Sequence, residues 1–309
     1  MRIRLGTRNS ALALWQARHV RGLLEQAHRG VEVEIVEITS AGDTDLETPL
    51  ARMGTVGIFT QTLERALREE RIDVAVHSLK DVPAQLAEGT EMAAYGERED
   101  PRDAWFHGKG LAMVDCAEDT TVATGSLRRR SQMLHHFPKL NMVELRGNLQ
   151  TRWRKFEERN FDAMILAAAG VRRLGWAERV TEFVSTDRLL PAVGQGILGL
   201  QTRAGDEAID YVKCVNDAEA ATAATAERSL LAEVAGGCVV PLAGFCERVD
   251  ANTLRLRACI GESDGSTLLR ADLTGDEPVA LGHAAGRALI SQGGAEIVAK
   301  ARAAAQQGG

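Results

Sequence analysis

The side chains with the clearest chemical potential are arginines, and their placement matters more than their number. Arg8 stands in Gly-Thr-Arg-Asn-Ser, and Arg128, Arg129 and Arg130 in Thr-Gly-Ser-Leu-Arg-Arg-Arg. Arg146 stands in Leu-Arg-Gly-Asn, with Arg152 about one and a half helical turns further on, and Arg172 and Arg173 come soon after Leu166. Each follows a run that reads as a β-strand, so each falls at or beyond a strand's carboxyl end, where helix N-termini also point. Guanidinium groups there form bidentate hydrogen bonds with carboxylates or phosphates. Read singly, any of them is a solvated surface arginine. Their recurrence after successive strands points instead to a ligand with several anionic arms.

Two further segments carry chemistry. Residues 75–83, Ala-Val-His-Ser-Leu-Lys-Asp-Val-Pro, begin as a buried strand and end polar beside a proline. Asp81 next to Lys80 reads either as a turn pair or as a carboxylate at a cleft, able to stabilise a cation or shuttle a proton. Residues 227–243 run as a helix into Gly236-Gly237, which can stop it in left-handed geometry, and Cys238 then sits on a tight loop entering a strand. The other cysteines, 116, 214, 246 and 259, read as small buried hydrophobes. Cys238 differs because its glycines allow another body to approach, and a loop thiol can act as a nucleophile. No His follows it at a distance that would suggest a thiol protease. Residues 42–57, with Gly42, Gly54, Gly57 and Pro49, read as a surface loop or a mobile lid. No metal site is expected, since His135 and His136, consecutive on a helix, cannot both face one ion; no G-x-x-x-x-G-K-[ST] phosphate loop is present.

The elements that must position these groups alternate. Strands are expected at Ile3 to Gly6, Val31 to Ile38 and Val74 to Val76. Ser10 is expected to cap a helix with a stripe of Ala13, Ala17, Val20 and Leu24 at helical spacing, and Ile58 to Glu70 forms the next helix. A second block repeats the alternation, with strands at Thr121 to Thr124, Met142 to Leu145 and Ala163 to Leu166, and helices after Ser126 and Asn148. Such a pattern predicts α/β architecture with mainly parallel sheets, whose ligands bind beyond the carboxyl ends of the strands. The acidic, proline-containing stretch from Glu97 to Asp103 reads as a hinge between the blocks, which makes the cleft between them the natural site. Beyond Asp217 comes an Ala-rich helix to Val234, strands near 239–248, 253–260 and 267–274, and helices near 277–291 and 294–305. That order predicts a small α+β domain with a three-stranded antiparallel sheet.

Bulk properties bound the function. The chain has 309 residues and a formal charge of -6, which argues against a nucleic-acid backbone as its main partner. An odd count of 5 cysteines without a C-x-x-C pair fits reduced thiols. With no secretory-type apolar segment at its start and no long apolar run, the chain is expected to be cytoplasmic.

Together these segments resemble the porphobilinogen deaminase (hydroxymethylbilane synthase) family. The likeness runs through Gly-Thr-Arg-Asn-Ser-Ala-Leu-Ala, Ala-Val-His-Ser-Leu-Lys-Asp-Val-Pro, Glu-Arg-Glu-Asp-Pro-Arg-Asp-Ala, Gly-Ser-Leu-Arg-Arg, Leu-Arg-Gly-Asn, Leu-Pro-Ala-Val-Gly-Gln-Gly and Gly-Gly-Cys-x-Val-Pro. The resemblance implies two domains like the halves of type II periplasmic binding proteins, residues 1–98 with 196–215 and residues 99–195, and a third at 216–309. It implies a dipyrromethane cofactor joined by a thioether to Cys238. Four porphobilinogens are then added in turn, each losing ammonia, and water releases hydroxymethylbilane. Asp81 becomes the catalytic carboxylate, which stabilises positive charge on a pyrrole nitrogen. Lys80, Ser126, Arg128 and Arg129, with Asp81, become cofactor contacts; Arg8, Ser10, Arg146, Arg152 and Arg173 hold substrate carboxylates. The family is usually monomeric, and neither nucleic acid nor membrane is implied as a partner. One departure stands out: the family's lid segment carries a lysine among its glycines, where this chain has Val56, and Gln61 replaces a frequent lysine nearby, while Arg52 remains. The residues alone also allow a non-catalytic protein that binds a small anion in the same cleft.

Overall fold

The computed structural model describes residues 1–39, 60–234 and 240–307. The chain begins with β1 (Arg2–Thr7), α1 (Ala11–Ala27), β2 (Glu32–Glu37), α2 (Gln61–Arg68), β3 (Val74–Ser78) and β4 (Thr90–Tyr95). It continues through β5 (Asp103–His107), β6 (Thr121–Ala123), α3 (Leu127–His136), β7 (Asn141–Val143), α4 (Leu149–Glu158), β8 (Ala163–Ala167), α5 (Ala168–Arg173) and β9 (Glu182–Val184). Then come β10 (Leu198–Arg203), α6 (Ala208–Val212), α7 (Ala218–Glu233), β11 (Leu242–Arg248), β12 (Leu254–Gly261), β13 (Leu268–Gly275), α8 (Pro278–Leu289) and α9 (Ala295–Gln307).

Two five-stranded sheets have the orders β2-β1-β3-β10-β4 and β7-β6-β8-β5-β9. Position by position the two match. Within each, three strands are parallel: β1 with β2 and β3, and β6 with β7 and β8. The fourth strand is antiparallel to both its neighbours, β10 to β3 and β4, and β5 to β8 and β9. Four of the five strands in each sheet therefore share one direction, as mainly parallel sheets require, and a single strand opposes them. The cause is the path of the chain, which leaves the first sheet after β4, enters the second through β5, and returns to the first as β10. A strand arriving from the other body runs against the local βαβ direction.

The parallel strands read as apolar runs because both their faces are covered. Ile3, Leu5, Val74 and Val76 meet Val20 and Leu24 of α1 on one side, and Ala75 meets Leu63, Ala66 and Leu67 of α2 on the other. In the second sheet, Val122 and Ile165 pack with Met133 of α3, and Met164 and Leu166 with Leu145 and Val171. Each such buried valine, leucine, isoleucine or methionine stabilises by roughly 1.5–3 kcal/mol. Helix caps follow the sequence. Ser10 accepts from Ala13 N at 3.3 Å, Ser126 from Arg129 N at 3.4 Å, Asn148 from Thr151 N at 2.9 Å and Asp217 from Ala220 N at 2.7 Å.

The C-terminal strands form the expected antiparallel sheet, β11-β12-β13. α7 and α8 pack on it so closely that a Cβ at Gly282 would lie 2.3 Å from Ala226 O. Among the described residues, no helix is long and apolar enough to cross a membrane.

Candidate active site

Where the chain crosses between the sheets, one buried carboxylate organises the wall of the cleft. Asp103, the first residue of β5, is fully buried. It accepts from Arg128 at 2.7 and 3.2 Å, from Arg129 at 2.8 and 3.1 Å, and from Gln195 Nε2 at 3.0 Å. Burial alone would raise its pKa; the two guanidinium groups outweigh burial and hold it well below the usual carboxylate range. The same pairing permits two cations in the first turn of α3, a position the helix dipole disfavours. Arg128 also donates to Leu190 O at 2.7 Å and Arg129 to Ile165 O at 3.1 Å. The guanidiniums expected to hold a ligand are thus largely engaged by the protein itself, although Arg129 still lines the cleft.

Two adjoining cavities share Leu12, Gln16 and Ser78, and Gln16 Nε2 donates to Ser78 Oγ at 2.8 Å between them. Arg8, Ser10, His77 and Asp81 line one cavity. Lys80, Arg129, Arg152 and Arg173 line the other. Lys80 and Asp81 occupy a single 3-10 turn at the carboxyl end of β3, closed by Val82 N donating to Leu79 O at 3.0 Å. Leu79 N in turn donates to Ile197 O at 3.0 Å, which ties the turn to the returning crossover.

The second cavity is strongly cationic. Burial lowers the Lys80 ammonium to about 8 despite Asp81 beside it. Burial, then Arg129, lowers Arg152 to about 10, and burial lowers Arg173 to about 10. Arg152 donates to Gly147 O at 2.7 Å, and Arg173 to Gly196 O at 2.7 Å while lying 5.8 Å from the Trp15 ring centroid. Their partners are backbone carbonyls rather than carboxylates, so the positive charge there is incompletely balanced. Such a site favours an anion that enters it.

The structure therefore brings together Arg8, Ser10 and Asp81, and separately Lys80, Arg129, Arg152 and Arg173. Ser126, Arg128 and Arg146 line neither cavity. Arg146 is buried close enough to Arg152 to lower its pKa further. Cys238, Arg52 and Val56 lie outside the described residues; Gln61 is the first residue of α2. Sequence patterning did not single out Asp103, Gln195, Gln16 or His77. Asp103 opens the apolar run Asp-Ala-Trp-Phe-His, where a lone acid at a strand start was the available signal.

The sequence profile of "Porphobilinogen deaminase, dipyromethane cofactor binding domain" matches residues 3–211, and that of "Porphobilinogen deaminase, C-terminal domain" matches residues 221–291. Among curated proteins, the porphobilinogen deaminase of Acidithiobacillus ferrooxidans is 43% identical over 301 residues, covering 97% of this chain and 98% of its own. That of Halalkalibacterium halodurans is 41% identical over 299 residues, covering 96% of each. Among solved structures, the periplasmic aliphatic sulphonate binding protein SsuA of Escherichia coli is 14% identical, covers 74% of this chain and 68% of its own, and has a TM-score of 0.42.

Proposed function

The chain belongs to the porphobilinogen deaminase family, and from that premise we propose that the paired cavities grip the carboxylates of porphobilinogen and of the growing pyrrole chain around Asp81. The enzyme is a transferase that condenses four porphobilinogen molecules with loss of ammonia and releases hydroxymethylbilane by hydrolysis. Its cofactor is dipyrromethane.

The observation that carries the assignment of residues is the cavity lined by Lys80, Arg129, Arg152 and Arg173. Its cations fit a group bearing acetates and propionates, because each carboxylate restores charge balance that burial has disturbed. Lys80, Arg129 and Asp81 would hold the cofactor, with Ser126 and Arg128 supporting them. When bound, the dipyrromethane supplies the pyrrole onto which the first substrate unit is joined. Arg8 and Ser10, beside Asp81, would orient the incoming porphobilinogen, and Arg146, Arg152 and Arg173 would take up later carboxylates. The Asp81 carboxylate would stabilise positive charge developing on a pyrrole nitrogen. We further assign residues 1–98 with 196–215, 99–195 and 216–309 to three domains, with Cys238 as the anchor. The working form is a monomer in the cytoplasm, needing neither nucleic acid nor membrane.

Intact mass before and after Cys238→Ala tests the anchor. The unaltered chain is expected to carry the added mass of two pyrrole units and the variant none; an unmodified chain that turns over no porphobilinogen would overturn the reading. Asp81→Ala is expected to fold normally and lose at least about 100-fold in kcat. Turnover within a few-fold of the unaltered enzyme would remove Asp81 from its role. A protein that only binds a small anion, the alternative, would need neither residue and is not favoured.

A further inference from the structure

We propose that Arg228 is a positioning residue, which fixes the Asp81 turn against the helix that leads to Cys238. Arg228 lies in the last turns of α7, half-buried, and reaches out of the C-terminal unit into the first sheet's cleft edge. Its Nη2 donates to Pro83 O at 2.9 Å and to Ala84 O at 3.1 Å, and its Nη1 to Val82 O at 3.4 Å. These are the three residues that follow Asp81.

Residues 82–86 belong to no helix or strand, and Pro83 has no N–H to offer a ladder. The conformation of this segment must be set from outside. On its other flank the Asp81 turn is held by Leu79 N donating to Ile197 O at 3.0 Å. Asp81 is thus clamped between the returning crossover and α7. The preceding residue on α7, Glu227, accepts from Arg98 at 2.7 and 3.2 Å, from Gly194 N at 2.6 Å and from Cys246 N at 2.8 Å. The end of α7 is therefore itself fixed to both crossovers and to β11.

A half-buried guanidinium that meets only neutral carbonyls in its hydrogen bonds is a poor device for stability, because desolvation of the charge is offset incompletely. What it provides is direction: a rigid planar fork holds three successive carbonyls in one orientation. Chain separation adds the link to chemistry. Arg228 stands ten residues before Cys238, so the contact joins the approach to the anchor with the turn bearing the catalytic carboxylate. Placement errors of the order of 1 Å at such a centre cost about 100-fold in rate.

This inference rests on the roles given to Asp81 and Cys238, and its test separates the two. Full-length Arg228→Met, Arg228→Lys and Arg228→Gln proteins are compared with the unaltered enzyme and with Asp81→Asn. The readouts are intact mass, amide hydrogen exchange of residues 79–88, and kcat and KM for porphobilinogen. Arg228→Met is expected to keep its dipyrromethane mass, to exchange about tenfold faster in that segment, and to lose about tenfold in kcat with KM within about twofold. Arg228→Lys, which keeps donors, is expected to recover most of both losses, and Arg228→Gln to fall between them if the methionine variant does not fold. Unchanged exchange and kcat would overturn the proposal. So would a loss of activity that follows loss of cofactor mass and is not relieved by lysine. Turnover by Asp81→Asn would sink the role of Asp81 instead, while the exchange data would still decide whether the clamp exists.

Discussion

His77 lies at the floor of the cavity that holds Asp81, and its Nε2 meets Gln201 Oε1 at 3.0 Å. Gln201 spends its Nε2 hydrogens on Glu64 at 3.2 Å and Thr90 at 2.8 Å, so its oxygen must accept, and the imidazole is the neutral Nε2–H tautomer. Burial, opposed only in part by Gln201, lowers His77 to about 4. The native state therefore holds fewer protons than the unfolded chain between pH about 6.5 and about 4, and stability is lost as pH falls through that window. Replacing His77 with Gln, which retains an N–H donor, is expected to remove about 3 kcal/mol of the stability change across this window. Urea midpoints of the two proteins across that range would check it; parallel slopes would refute it. Asp103 acts in the same direction at lower pH. Its depressed pKa gives stability that is present above the ordinary carboxylate value and lost in stronger acid.

Among the elements, the two crossovers decide how the cleft is built. They touch where Glu99 N donates to Gly196 O at 3.2 Å, and Gly196 has φ +94, a left-handed conformation that glycine tolerates. A Cβ there would stand 2.2 Å from Glu99 O, against backbone that cannot swing aside. Arg173 donates to the same Gly196 carbonyl at 2.7 Å, and Arg172 pairs with Glu99 at 2.9 Å. Gly196→Ala is accordingly expected to cost about 1–3 kcal/mol or more and to disturb Arg173. A thermal midpoint equal to that of the unaltered chain would contradict this.

At the scale of the whole molecule, Glu227 joins both crossovers to the C-terminal sheet. Fully buried, it takes hydrogen bonds from one crossover through Arg98, from the other through Gly194 N, and from β11 through Cys246 N. Arg98 lies 4.9 Å from the Phe245 ring centroid and donates to Gln195 O at 3.0 Å, so the guanidinium is closed in on several sides. Removing one partner of such a pair strands the other and costs about 3–5 kcal/mol. Glu227→Ala is expected to lower the melting temperature and to split a single calorimetric transition, with the C-terminal unit melting first. One transition at an unchanged temperature would show that the joint does not couple the units. α3 gives a second attachment, since Arg130 donates to Ser263 O at 3.1 Å and His135 pairs with Gly265 O at 3.1 Å. The helix whose first turn carries Arg128 and Arg129 thus also rests on the C-terminal unit.

Local patterning determined much of this protein. The stripe on α1, the serine, asparagine and aspartate caps, and the order of the C-terminal elements are short-range effects, and the structure carries them. So too are the arginines placed after strands, because strand ends and helix starts are written in adjacent residues. The strands β4, β5, β9 and β10 left no such local mark. Of these, β5 and β10 take their direction from partners far away in the chain: Asp103 pairs with Ala167, and Leu198 with Ser78. Nor could spacing show that Arg128 and Arg129 turn inward to Asp103, or that Arg228 reaches the carbonyls behind Asp81. A guanidinium takes whichever acceptor the fold brings within about 3 Å. Sequence sets how many cations face the cleft region; only the tertiary structure decides which of them the protein keeps for itself and which it leaves for a ligand.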